Sequence, residues 1–526
     1  MKNNIDKLNN SGNRRIAVIF IGVIAVIYVL IVTSHWDLSY IDFGDGNYLY
    51  ISSRLADGLV LYQDIMAPQP PLHLYSGCLM IKLGSLFGNP LFTVRAFSLL
   101  IHLATMIFIY LIAGKLFGKR FEACAAALLY LMIPVGFWWS QGFQSEGLLI
   151  LFLVSSFYFY ISFTKKNMIW ASLLGTAAAF TNMTAAPYLF FNNLYLLVRK
   201  KKQFPVYFLI MLGTGIAGVL FMEVMTDGNY LENVFFNQMG TFPNPELSGE
   251  SVFQYAFGKI VNEGKDILTW EGGYVLFGLA GLVLFILRGK AEKAVREYAG
   301  WYSFFSLCSI IYVSKGGTME YIFTIGEPFA VVFFAYSIGR FWRGPLQSGA
   351  VFKKGGLQDT TPFAAGVVIL FLIAATFYVG LFYIRNTLAG SNYELGDEKI
   401  KQVREIIQSR SDKGDEILSP PYYAFISDRK IVEEYSENYI WTIKYANEVY
   451  VNREPGMGVE KALKIAAAIR EKKLPIILLD MAQTGKIPPI RQAVENHYRP
   501  LKVWDGSHIL QTLNPSIGFY VPDHGK

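Results

Sequence analysis

Residues 72–87 read LHLYSGCLMIKLGSLF, and the sidedness of everything after them turns on whether they cross a membrane. The stretch is apolar, but it is short and carries Lys82. A spanning helix needs about 20 apolar residues. The question matters because the surroundings are membrane-like. The 526-residue chain is 53% hydrophobic and only 17% charged, against roughly 25% charge in an average soluble domain. The deficit is confined to Ile16–Ile384, where long apolar runs alternate with short polar loops.

Working outward, the clear candidate spans are Ile16–Thr33, Thr93–Leu116, Phe121–Trp139, Leu148–Phe163, Phe204–Met225, Tyr274–Leu287, Tyr298–Val313, Tyr321–Gly339 and Pro362–Ile384. Arg14 and Arg15 precede the first run, and no small-residue cleavage site follows it, so it reads as a membrane helix rather than a removable signal. Met168–Val198 is interrupted by Gly175, Asn182 and Pro187, and reads as two short crossings that meet near Asn182.

Cytoplasmic loops are enriched in Lys and Arg. The basic clusters are Lys2–Arg15, Lys115–Arg120, Lys165–Lys166, Arg199–Lys202, Arg288–Arg296 and Arg340–Lys354. If Leu72–Phe87 lies along or dips into the outer surface, and Met168–Val198 crosses twice, all of these clusters fall inside. The acid-rich loops Asp37–Pro71, Ser140–Glu146, Asp227–Glu271 and Ser314–Glu320 then lie outside, with the tail after Ile384. The count is about 11 spanning helices plus one surface helix. The formal charge of +7 is thereby explained by inward loops, and nucleic acid is not an expected partner.

The sequence divides into a membrane domain, residues 1–385, and a soluble, extracytoplasmic domain, residues 386–526. In the latter, Glu398–Ser409 and Gly458–Glu471 read as helices, and Glu416–Leu418 and Pro475–Leu479 as strands, an alternation that suggests a small α/β domain. Cys78, Cys124 and Cys308 all lie in apolar segments and read as packing residues.

Carboxylates cluster in the first outer loop, where Asp37, Asp42, Asp45, Asp57 and Asp64 follow the first membrane helix. Tyr48, Ile51, Leu55 and Leu59 recur there at helical spacing, predicting a helix over Asn47–Asp57. An outer loop is wet, and Asp-Gly pairs such as Asp45-Gly46 are ordinary turn signals. A carboxylate beside the membrane surface can also serve as general base or cation ligand. Glu146 opens the fourth spanning helix on the same side, where the helix dipole favours an acid and a facing cavity would use one.

These features resemble the GT-C glycosyltransferases, specifically the bacterial family 39 branch related to protein O-mannosyltransferases and the lipid A aminoarabinose transferase. Gly44-Asp45-Gly46-Asn47-Tyr48 stands where that branch has an acidic motif followed by aromatics, with Asp45 at the second acidic position and Asp42 three residues before it. Gly58, Tyr62 and Asp64 resemble a Gly-x-x-Tyr-x-Asp stretch at slightly different spacing. Gln69-Pro70-Pro71-Leu72 matches a motif that opens with Lys or His in the family, so a cation is missing at Gln69. Leu86-Phe87-Gly88 and then Arg95 follow in the family's order, Glu146 matches an acid of the second outer loop, and Thr181–Thr184 stands where members often have Thr-Lys. KGGTMEYIFTIGEP, residues 315–328, is similar to a late segment that approaches the donor phosphate.

The resemblance implies a membrane-embedded glycosyltransferase of the cell membrane. Its donor would be a sugar on a polyprenyl phosphate, and its acceptor a hydroxyl of a glycan, lipid or protein. Asp45 would be the general base, with Glu146 as a second catalytic carboxylate. Arg54, Arg95, Lys315 and Tyr321 are the outward candidates for the phosphate, and Asp42, Tyr48, Tyr62, Asp64 and Gln69 for the remaining substrate contacts. Each of the four phosphate candidates, Arg54, Arg95, Lys315 and Tyr321, also has a plain reading as a snorkelling or interfacial side chain. A divalent metal would require Asp42, Asp45 and Glu146 to converge, and hard cations want several oxygens. No metal or other cofactor is expected. Two rivals stand beside this reading. A lipid-linked sugar transporter would show a repeat and mid-bilayer ionisable groups, for which His102 and Glu223 are the main candidates. A non-catalytic assembly subunit would tolerate loss of Asp45.

Overall fold

The computed structural model describes residue 19 and residues 21–35, 43–236, 252–308 and 320–343, scattered positions between 374 and 385, 397–501 apart from 482, and 517–523. Most of the predicted span Pro362–Ile384, the whole basic cluster Lys2–Arg15 and most of Arg340–Lys354 fall outside them.

The apolar runs fold as helices. In chain order these are α1 (Ile21–Val32), α2 (Phe43–Ala56), α3 (Pro71–Leu86), α4 (Pro90–Phe117), α5 (Arg120–Met132), α6 (Pro134–Trp139), α7 (Ser145–Tyr160), α8 (Lys165–Ala179), α9 (Ala186–Arg199), α10 (Phe204–Met225), α11 (Val252–Arg288), α12 (Lys293–Leu307) and α13 (Glu320–Arg343). Among the described residues, α4 and α10 are long and apolar enough to cross a membrane, with 28 and 22 residues, and α1, α7 and the last part of α11 are shorter apolar helices.

Local chemistry sets the boundaries. Asn89 caps α4 by accepting from the Phe92 N–H at 3.0 Å, Pro90 takes the first turn, and Gly118 ends the helix in the left-handed region at φ 65°. The run Phe121–Trp139, read as one span, is two helices. Ile133 is extended (φ −70°, ψ 125°) because Pro134 disfavours the helical conformation of the residue before it. Met168–Val198 does form two helices, joined by a 3-10 turn at Met183–Ala185 that Asn182 caps through Thr184 N–H at 3.1 Å. Tyr274–Leu287 is the end of a 37-residue helix, so much of the loop before it is helical too.

The tail contains α14 (Asp397–Gln408), α15 (Pro421–Ser427), α16 (Asn438–Ala446), α17 (Met457–Arg470) and α18 (Pro488–His497), with strands β1 (Glu416–Ile417), β2 (Lys430–Ile431), β3 (Ile477–Asp480), β4 (Tyr498–Pro500) and β5 (Ile517–Pro522). β1 and β2 pair in parallel, and β3, β5 and β4 form an antiparallel sheet with β5 central. Leu478 N–H to Leu418 O, at 2.7 Å, ties the two sheets together. Every residue of β3 is buried, the apolar Ile477–Leu479 and also Asp480 at its end.

Two hydrophobic cores result. One lies within the helical bundle and joins α1, α4, α5, α7, α9, α12 and α13. The other is continuous from α2 and α3 into the tail, so these two helices pack with the tail.

Candidate active site

The site begins in the first turn of α2, where Asp45 sits at the positive end of the helix dipole. α2 packs on α3, and α3 on α4. That stacking carries Asp45 to Arg95, near the start of α4. Arg95 Nη1 donates to Asp45 Oδ1 at 2.7 Å, and Nη2 to Oδ2 at 2.6 Å. Both side chains are fully buried. A charge withdrawn from water persists only when it is paired and hydrogen-bonded, and the planar fork of arginine meets both requirements. A third donor, the Phe143 N–H, reaches Oδ1 at 2.6 Å from the chain between α6 and α7.

The Phe143 ring stacks on His73 of α3 with centroids 3.9 Å apart, and His73 meets Tyr48 of α2 edge-on at 5.1 Å. Burial pushes the His73 imidazole down to about 3, against a backbone contact from Phe143, so the ring is neutral. Behind Phe143 lies a cavity of about 20 Å³, with walls that include His73, His102, Tyr130, Ser140, Gln144 and Glu327. That volume holds about one water. His102 is stacked between Tyr28 and Tyr130. Glu327, fully buried on α13, comes close enough to α6 that a Cβ on Gly136 would lie 2.7 Å from its Oε2.

Glu146 is half-buried at the start of α7, three residues beyond Phe143. Its Oε1 accepts from Asn182 Nδ2 at 3.2 Å and its Oε2 from Ser145 Oγ at 3.1 Å, so the break between α8 and α9 is read by the same carboxylate.

The other predicted residues divide. Tyr48 lies beside the pair through His73, as described. Tyr62 closes the loop after α2, its hydroxyl donating to Gln69 O at 2.6 Å, and this places Tyr62 and Gln69 together. Asp64 is exposed and accepts from Val60 N–H at 2.7 Å. Arg54 does not face Asp45. It turns to the tail, where Nε donates to Glu434 Oε1 at 2.8 Å and Nη1 to Asp57 Oδ2 at 2.5 Å. Asp42 and Lys315 lie outside the described residues, and Tyr321 is placed in α13 by its backbone only. Of the mid-helix ionisable candidates, His102 lines the cavity, whereas Glu223 accepts from Leu231 N–H at 2.7 Å beyond the end of α10. Among the described residues no three His, Cys, Asp or Glu side chains are grouped to hold a metal.

Sequence reasoning missed Glu327, Glu434, Glu437 and the Phe143 N–H. Glu327 carried a usable signal, an ionisable residue beside Pro328 inside an apolar helix. The other three become visible only through contacts distant in sequence.

Chemically, the arrangement offers a guanidinium suited to an anion and a carboxylate that can accept a proton once one of its oxygens is released. Residues 69–225, which include Arg95 and Glu146 but not Asp45, match the family described as dolichyl-phosphate-mannose-protein mannosyltransferase. No curated protein matches the chain in sequence. Among solved structures, ArnT from Cupriavidus metallidurans bound to undecaprenyl phosphate is similar with a TM-score of 0.59 at 12% identity, over 95% of this chain and 98% of that one. Its apo state gives 0.56 at 13% identity, over 96% and 98%. The apo oligosaccharyltransferase of Archaeoglobus fulgidus gives 0.52 at 12% identity, over 91% of this chain and 73% of that one.

Proposed function

The chain has the fold of the GT-C glycosyltransferases, and on that premise we propose that it transfers a sugar from a polyprenyl-phosphate donor to an acceptor hydroxyl at the extracytoplasmic face of the cell membrane. The observation that carries this reading is the buried Asp45–Arg95 pair, a proton acceptor on α2 and an anion ligand on the first turns of α4. The relative bound to undecaprenyl phosphate supplies the donor class. The loop charges supply the face: basic loops inside, acidic loops and tail outside, with about 11 crossings.

In the proposed reaction the acceptor oxygen attacks the anomeric carbon with inversion. The bond from that carbon to the phosphate oxygen breaks, the polyprenyl phosphate leaves as an anion, and the hydroxyl proton passes to Asp45. A donor phosphate arriving beside Arg95 competes with Asp45 for the guanidinium. Transfer of one N–H from carboxylate to phosphate steadies the leaving group and frees an oxygen to take the proton. Glu146, anchored by Asn182, is the second carboxylate of the site. The acceptor's outer part, whether glycan, lipid or protein, lies beyond these residues.

The test is transfer by purified Asp45→Asn protein supplied with polyprenyl-phosphate sugars and an acceptor. General-base catalysis contributes about 10²–10⁴-fold, so turnover should fall into that range with donor binding retained. Full turnover by the variant would overturn the assignment of Asp45.

A further inference from the structure

We propose that the soluble tail is a positioning element for the helix that carries Asp45, with Glu434 and Glu437 as the positioning residues; the inference rests on the transfer reaction proposed above. α2 is a helix of 14 residues, and isolated helices of that length are marginal in water. Its orientation must therefore be set by what it packs on, and its two faces pack on different parts of the chain.

The face bearing Asp45 and Ser52 looks toward α3 and α4, through Arg95 and through Ser52 Oγ donating to Leu74 O at 3.0 Å. The face bearing Gly46, Asn47, Tyr50 and Arg54 is read by the tail. Glu434 takes three donors from it: Tyr50 OH on Oε2 at 2.8 Å, and Arg54 Nε and Nη2 on Oε1 at 2.8 and 2.7 Å. The Ile431 N–H donates to the Tyr50 hydroxyl oxygen at 2.7 Å, and Asn47 Nδ2 donates to Glu437 Oε1 at 2.6 Å. Gly46 lies against α15 so closely that a Cβ would stand 2.6 Å from Tyr422 Cβ.

The tail's side of this junction is strained. Glu433 and Glu434 hold φ of 56° and 47°, the left-handed region, in two successive residues that are not glycine. Such conformations are costly and persist only where the surroundings over-determine them. Here the turn aims Glu434 at Arg54. The residues gripped by the tail are neighbours of Asp45 on one rigid helix, so a rotation of α2 that releases Glu434 also moves the carboxylate away from Arg95 and Phe143.

The experiment uses the full-length protein with Glu434→Gln, Glu434→Ala and the exchanged pair Arg54→Glu/Glu434→Arg. Hydrogen exchange of the α2 amides should rise about tenfold in Glu434→Ala while those of β3 and α4 stay as in the wild type. Turnover should fall about tenfold with KM for the donor unchanged, and the exchanged pair should recover part of both losses. Glu434→Gln keeps the shape and should show a smaller version of the same pattern if the alanine variant fails to fold. Unchanged exchange in α2 would overturn the positioning role. So would raised exchange with wild-type turnover. If the wild type itself transfers no sugar from any polyprenyl-phosphate donor, the functional reading fails, and the exchange measurement still decides whether the tail holds α2.

Discussion

Arg95 grips both oxygens of Asp45, at 2.7 and 2.6 Å, with neither side chain exposed. Breaking a buried pair by removing one partner leaves an uncompensated charge and costs about 3–5 kcal/mol. Arg95→Ala should therefore lower the melting temperature in detergent far more than the double variant Arg95→Ala/Asp45→Asn, which leaves no charge behind. Equal destabilisation by the single and the double variant would show that the pair is not buried as described. Asp45→Asn alone leaves the Arg95 charge in place, so its effect on turnover has to be read together with its melting temperature.

The junction between α2 and the tail should respond to pH through Glu437. Burial pushes this carboxyl up to about 7, only partly offset by the hydrogen bond from Asn47. Across the junction α2 also presents Tyr50 and Arg54, both held by Glu434. A carboxyl whose pKa is raised by docking binds its proton more tightly in the docked state. Docking is then strongest below the ordinary carboxyl value of 4.5 and weakens, by up to about tenfold per pH unit, until the pH passes about 7. Glu437→Gln removes the titration. Its tail should resist proteolysis better than the wild type's at pH 8 and equally at pH 4.5. A variant weaker than the wild type at pH 8 would contradict the shift.

Gly46 should not tolerate a methyl group. A Cβ there would meet Tyr422 Cβ at 2.6 Å and the Tyr422 backbone at 3.1 Å, and backbone cannot swing aside as the end of a side chain can. Overpacking of this kind costs about 1–3 kcal/mol. Gly46→Ala should loosen the tail, seen as faster degradation of the tail under limited proteolysis. Gly58→Ala is an informative contrast. That position has open space around it but φ of 105°, so any loss there comes from backbone strain in the loop and not from the junction.

Local features of the fold were legible because they are written in consecutive residues. The helix at Asn47–Asp57 appears as Phe43–Ala56, and the tail helices at Glu398–Ser409 and Gly458–Glu471 appear within about a residue at Asp397–Gln408 and Met457–Arg470. The interruption at Asn182 was readable from Gly175, Asn182 and Pro187. The break at Ile133 was equally readable from Pro134 but was masked by the apolar residues on both sides. The site was legible only as separate residues. Asp45 and Arg95 could each be named, but their contact joins positions 50 apart. Arg54 was assigned to the donor because the partner that claims it, Glu434, is 380 residues away. No periodicity in α2 says which of its faces meets the tail.

Asn182 couples the break between α8 and α9 to Glu146. Its Oδ1 accepts from Thr184 N–H at 3.1 Å, and its Nδ2 reaches Ser145 Oγ at 3.1 Å and Glu146 Oε1 at 3.2 Å. One side chain therefore caps the turn between α8 and α9 and orients the start of α7. Asn182→Ala removes both functions, and loss of a cap typically costs about 1 kcal/mol. Asn182→Asp keeps the capping oxygen but places a second carboxylate against Glu146, where the like charges repel. Should Glu146 serve the transfer reaction as proposed, Asn182→Asp will keep most of its thermal stability and still lose turnover, with the loss relieved as the pH falls and one of the two carboxyls is protonated. Asn182→Ala will lose stability and turnover together at every pH. If Asn182→Asp matches the wild type in turnover at pH 7, Asn182 is a structural cap alone and Glu146 has no part in the chemistry.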